Sequence, residues 1–230
     1  MNGDFDGIMQ RAELRKGGRD ALESLLPTPK TLSALAGEPD AYYLEEMTRS
    51  VFQSGFVWRV INNKWPSFRE AFFDFDETRL MGLDDQAWDA YVHDTRIVRH
   101  RQKIRALRHN LWFVNDIAMQ FGGFGSFLAE WPTSDLVGLY TLLKKRGSRL
   151  GGNTGQYFLQ HVGLDSFALT RDVVLALQVH GLNISDNPSS QKDLRQIQDM
   201  FNQWRDESGF GSLQLSYILA YSVGENKVLP

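Results

Sequence analysis

Leu142 to Val174 reads LLKKRGSRLGGNTGQYFLQHVGLDSFALTRDVV, and its punctuation decides the fold. Just upstream, Thr133 and Ser134 are good N-cap residues, and Leu136, Leu139, Tyr140 and Leu143 recur at helical spacing. Gly147 stops that helix. Leu150-Gly151-Gly152-Asn153-Thr154-Gly155 then makes a turn from which bulky side chains are excluded. Thr154 opens a second short helix, which Gly163 ends, giving a helix-hairpin-helix over residues 136–163. Backbone amides at such a turn are unpaired and point along the helix dipole, so they suit an anion such as phosphate. Lys144, Lys145, Arg146 and Arg149 lie beside it. The chemistry fits a grip on nucleic-acid backbone that does not read sequence, with Gly151, Gly152, Asn153, Thr154, Lys145 and Arg149 as the candidate contacts.

Outward from the hairpin the pattern is helical nearly throughout, and the fold class is all-α. Asp40 caps a helix in which Leu44, Met47, Val51, Gly55 and Trp58 share one face. Pro66 sits at the start of another, with Phe68, Ala71 and Phe72 inward. Asp84 or Asp85 caps a helix bearing Trp88 and Tyr91. Arg99 to Met119 forms a long helix with Ile104, Leu107, Leu111, Val114 and Ala118 inward. Ser189 or Ser190 begins a helix running to Asp206, and Ser212 to Ser222 makes the last. Residues 1–40 are expected as a partly ordered N-terminal arm ahead of a single helical domain over 41–230. Strand-like alternation is scarce, and there is no internal repeat.

Composition narrows the classes. At 230 residues the chain can build one good-sized domain or two interdigitated lobes. The net charge of −3 gives no global pull toward DNA, so any such binding rests on locally concentrated charge. With no cysteine, disulfides, thiol nucleophiles and cysteine-ligated zinc are excluded. No apolar run approaches the roughly 20 residues of a membrane helix, and residues 1–18 lack the apolar core of a secretory signal. A cytoplasmic location and no membrane partner are expected. Arg96, Arg99, Arg101, Lys103, Arg105 and Arg108 crowd one stretch; phosphate contact and ion pairing with acids such as Asp94 or Asp116 both remain open for it.

Further motifs narrow the class. Gln53-Ser54-Gly55-Phe56-Val57-Trp58, Phe68-Arg69-Glu70-Ala71-Phe72, Phe75-Asp76, the run Ile97 to Ile104 (IVRHRQKI) and Leu143-Lys144-Lys145-Arg146-Gly147 follow in this order. With the hairpin, they resemble the bacterial 3-methyladenine DNA glycosylase I family, within the helix-hairpin-helix glycosylase superfamily. The likeness runs from Met47 to Asp172. It implies two helical lobes with a base pocket between them, and a monofunctional enzyme that hydrolyses the N-glycosidic bond of alkylated purines in double-stranded DNA. It also implies that the enzyme works as a monomer and without a cofactor.

A glycosylase must flip a nucleotide out of the stack into an aromatic-lined site. By the resemblance, Trp58 matches a tryptophan of the family's base pocket and Gln53 a glutamine beside it. Phe52, Phe56 and Tyr157 offer further stacking surface, with core packing as the competing role for Phe52 and Tyr157. The family's glutamate falls at Ser50, which is a serious departure. Glu46, one helical turn earlier, is the candidate replacement; its alternative role is that of a solvent-facing acid in a first turn. The superfamily's aspartate falls at Thr170, so Asp172, two residues on, is either an active-site acid or a helix cap. Asn153 stands near the lysine of strand-cleaving members and cannot form an imine. The family's zinc site has no counterpart: the five histidines show no ligand spacing, and metal is not expected. The rival readings are a non-catalytic helix-hairpin-helix protein that binds DNA or lesions without excision, which the missing glutamate favours, and an all-α interaction protein.

Overall fold

The computed structural model describes residues 5–224, and every regular element among them is helical. In chain order these are α1 (Phe5–Lys16), α2 (Arg19–Glu23), α3 (Leu32–Ala36), α4 (Asp40–Gln53), α5 (Trp58–Ala71), α6 (Glu77–Met81) and α7 (Asp85–Ala90). There follow α8 (Arg101–Phe121), α9 (Phe124–Glu130), α10 (Leu136–Arg146), α11 (Asn153–His161), α12 (Arg171–Val179), α13 (Gln191–Ser208) and α14 (Ser212–Ser222). The described residues fall into two compact units. One holds the chain up to Lys30, Pro132–Gly138 and the chain from Gly163 onward; the other holds Thr31–Trp131 and Leu139–Val162.

The first unit is organised by α14. The buried residues of α1, Phe5, Ile8, Met9 and Ala12, recur at helical spacing, and α1 packs on α14, where Leu215, Ile218 and Leu219 are buried. Beyond α1's last turn of apolar contact, the Arg15 guanidinium donates to the carbonyls of Tyr221 (3.0 Å) and Val223 (3.1 Å), which satisfies acceptors that the end of α14 leaves unpaired. The other end of α14 is held by Asp165, whose carboxylate accepts from the Leu213 amide at 2.8 Å. Phe201 of α13 stacks on Phe167 at 4.2 Å. Residues 5–36 thus contain three helices, with α1 and α2 built into the same unit as the C-terminal helices.

The second unit packs α4 against α8 and α11, with α9 covering α3 and α8. A run of rings, Phe68 stacked on Trp65 (4.9 Å) and Trp65 on Phe75 (5.9 Å), fills the space beside α5. Asp40, in the first turn of α4, reaches across to accept from the Phe124 amide at 2.6 Å and so caps α9 rather than its own helix.

Three local expectations are corrected here. The helix from Asp40 stops at Gln53, because Gly55 takes φ +74° and the buried Lys103 ammonium donates to the carbonyls of Phe52 (3.0 Å) and Ser54 (2.5 Å). Trp58 therefore opens the next helix instead of lying on the face of α4. Pro66 lies inside α5, not at its start. At the third position Thr170, not Asp172, caps α12, its hydroxyl accepting from the Val173 amide at 3.2 Å, while Asp172 sits in the helix's first turn.

Candidate active site

Ser50 and Gln53 stand one turn apart on α4, so both project on one side of it. Both are buried, at 4 % exposure. Over Ser50 lies α11, whose residues Tyr157 and His161 are four apart and share a face. Trp58, first residue of α5, is 42 % exposed and completes the group. Its ring meets Tyr157 edge-on at 5.5 Å and His161 edge-on at 5.8 Å; Tyr157 and His161 are nearly parallel at 6.3 Å. The Ser50 hydroxyl is 3.5 Å from His161 Nδ1. Three rings above a buried hydroxyl form a surface on which a flat, electron-poor heterocycle can stack, since the π faces attract a cation.

The other candidates along α4 are engaged elsewhere. Glu45 accepts from the Trp65 indole at 2.7 Å and from Arg49 at 3.2 Å. Glu46 pairs with the same Arg49 at 3.3 Å. Gln53 donates to the Asn62 side chain at 2.9 Å, while its Oε1 is buried with no hydrogen-bond partner among the described residues. Phe52 is fully buried and packs edge-on against Phe68 at 4.8 Å, inside the core. Phe56 is 39 % exposed, 4.3 Å from the Lys103 ammonium. Asp172 belongs to the other unit. His161, which sequence reasoning passed over as one of five scattered histidines, is the member that joins α4, α5 and α11. Burial holds its imidazole below the ordinary histidine range, and the charge of Arg49 adds to that, so it is neutral at pH 7. The four-residue spacing from Tyr157 was the one signal available for it.

At the other end of α11 the hairpin is tightly built. Asn110 of α8, wholly buried, accepts from the Ser148 amide (2.7 Å) and donates to the Ser148 carbonyl (3.1 Å). His109 reaches the Arg146 carbonyl at 2.8 Å. A side chain at Gly155 would put its Cβ 2.2 Å from the Leu150 carbonyl oxygen, so only glycine fits there. Gly152 precedes α11 without a side-chain cap, so the first amides of the helix, from Asn153 and Thr154, have no side-chain acceptor there, and Asn153 is exposed. Lys144 and Lys145 are exposed and make no ion pair among the described residues, and Arg149 donates to Gln102 at 3.1 Å. The basic run leading into α8 behaves differently. Arg108 pairs with Asp85 (2.7 Å), Arg101 with Asp89 (3.8 Å) and Arg96 with Asp94 (2.7 Å), while Lys103 is buried, its amine pushed down to about 8 mainly by burial.

No donor set exists here for the zinc that the resemblance implies: the chain has no cysteine, and among the described residues no group of three acids or histidines could hold a metal ion.

The all-helical fold has the architecture of the helix-hairpin-helix DNA glycosylases. It matches the crystal structure of the Methanocaldococcus jannaschii 8-oxoguanine glycosylase/lyase bound to DNA with a TM-score of 0.55, covering 97 % of this chain and 99 % of that one, at 12 % identity. At that identity the likeness is one of fold. Residues 37–167 match the model of the methyladenine glycosylase family, and the chain belongs to that family. It is 29 % identical over 131 residues to DNA-3-methyladenine glycosylase 1 of Escherichia coli (strain K12), which spans 49 % of this chain and 70 % of that protein. To the DNA-3-methyladenine glycosylase of Haemophilus influenzae it is 30 % identical over 133 residues, 49 % of this chain and 71 % of that protein.

Proposed function

We propose that this protein is a monofunctional DNA glycosylase that removes alkylated purines such as 3-methyladenine from duplex DNA, working as a monomer in the cytoplasm. The observation that carries the reading is the ring group of Trp58, Tyr157 and His161 over Ser50, within the segment that matches the family. The uncapped start of α11 with Lys144 and Lys145 fits a phosphate, and the rings fit the flipped base. An N3-alkylated adenine already carries positive charge. Its glycosidic bond breaks with the electron pair passing to the base, which neutralises it, and water adds at C1′ while losing a proton. The site therefore has to select and hold the cation, with no need to protonate the leaving group. Among the described residues no helix is long and apolar enough to cross a membrane.

The test is release of free bases from dimethyl-sulfate-treated duplex DNA, followed by mass spectrometry, with Trp58→Ala beside the wild type. Release of 3-methyladenine by the wild type and a fall of about 100-fold in the variant are expected, since a stacking aromatic contributes about 1–3 kcal/mol per base. No release, with salt-sensitive duplex binding intact, would make the protein a lesion binder that does not excise.

A further inference from the structure

His161 was not among the residues that the family likeness picked out, yet both acids of α4 are held in ion pairs, and Gln53 keeps only its Oε1 without a partner among the described residues. Glu45 and Glu46 are held by Arg49, Glu45 also by Trp65, and the Gln53 amide by Asn62. His161 makes one hydrogen bond among the described residues, the long contact from Nδ1 to Ser50 Oγ at 3.5 Å. A neutral imidazole has one N–H and one lone pair. The Ser50 hydroxyl can serve Nδ1 as acceptor or donor; in the tautomer with the proton on Nδ1, the lone pair sits on Nε2, on the side of the ring away from α4.

We propose that His161 is the specificity-determining acceptor of the base site: in the tautomer protonated on Nδ1, its Nε2 receives a hydrogen bond from the exocyclic amine of an alkylated adenine stacked on Trp58, and Ser50 is the positioning residue that holds the ring. The inference rests on the functional reading above and sharpens it to a substrate class. A carboxylate attracts any cationic purine through its charge. An imidazole in that tautomer adds little charge attraction and discriminates by hydrogen-bond pattern, since a base with a carbonyl in place of the amine would leave two acceptors facing each other. The site should thus prefer 6-amino over 6-oxo purines, with the rings supplying the affinity for the cation. Protonating His161 removes the acceptor and sets two positive charges together. The charged groups facing the ring from packed elements are Arg49 of α4 and, paired to it, Glu45 and Glu46; Tyr157 lies on α11 itself and Trp58 of α5 is uncharged.

The experiment compares wild type, His161→Ala, His161→Gln and Ser50→Ala in single-turnover release of 3-methyladenine and 3-methylguanine from the same methylated duplex, between pH 5 and 8. Melting temperature serves as the check on folding. In the wild type, release is expected to rise as pH climbs through the His161 ionisation, which lies below the ordinary histidine range, and then to level off. His161→Ala should lose about 100-fold on 3-methyladenine and most of the preference over 3-methylguanine. His161→Gln keeps an acceptor, so it should recover part of both with a flat pH profile, and Ser50→Ala should lose several-fold. Should His161→Ala fail to fold, the Gln and Ser50 variants carry the same comparison. Unchanged selectivity and an unchanged pH profile in folded His161 variants would overturn the proposal while leaving the glycosylase reading intact. A wild type that releases no base would overturn both.

Discussion

The two ends of α11 are held in opposite ways. At the first, the hairpin is fixed by Asn110, which satisfies both the amide and the carbonyl of Ser148, by His109 on the Arg146 carbonyl, and by the close fit of Gly155 under Leu150. At the other, nine residues and roughly 13 Å along the helix, Tyr157 and His161 touch Trp58 edge-on, and the bond to Ser50 is long. One end is rigid before any ligand arrives; the other has exposed rings that a ligand can complete. A phosphate grip profits from pre-organised amides, since it must recognise every nucleotide alike. A base site profits from surface left unsatisfied until the right base fills it.

The sharpest way to break this contrast is Asn110→Ala. It strands the Ser148 amide and carbonyl in a buried setting and should cost about 2–4 kcal/mol, read as a lower denaturation midpoint. An unchanged midpoint would mean that the hairpin does not depend on this clamp. Replacing Lys144 and Lys145 together by alanine separates grip from reading: duplex affinity should fall about tenfold and the slope of log K against log salt should flatten by about 1–2, with release at saturating enzyme unaffected. A drop in saturated release would tie the two ends together.

The smallest effect concerns a residue in neither region. Burial, with Asp40 and Asp76 nearby, raises the Glu77 carboxyl to about 7. A raised acid favours the folded state below its unfolded value, near 4.5, and that contribution is lost as pH rises through 7. Glu77→Gln should therefore gain about 1 kcal/mol over the wild type at pH 8 relative to pH 5, without altering base release. Equal curves of stability against pH would refute the assignment.

Where local chemistry sets structure, the sequence was readable. Asp84 and Ser190 cap α7 and α13 through their own side chains, and the glycines delimit the hairpin. Periodicity found α14 end to end. It carried the helix from Asp40 through Trp58, however, because the break at Ser54 is enforced by Lys103, some fifty positions away in the chain. Helices α1 and α9 went unread for a similar reason: α1 is defined by its seat on α14, and α9 by Asp40 and the rings around Phe124. Trp58, Ser50, Gln53 and Tyr157 were named from the sequence; His161 was not. Its relation to Ser50 exists only once α11 lies across α4.

The bond from Arg15 to the Tyr221 carbonyl joins residues 206 positions apart, whereas every segment of the unit that carries the rings and the hairpin lies between residues 31 and 162. On a chain emerging from the ribosome, α1 leaves the exit tunnel before the ring-bearing unit and waits for its partner α14 until after it, while the ring-bearing unit has all its parts once α11 appears. Domains generally fold as units in order of synthesis, and long loop closure comes late. The unit that carries the rings and the hairpin is thus able to form before the unit in which α1 meets α14.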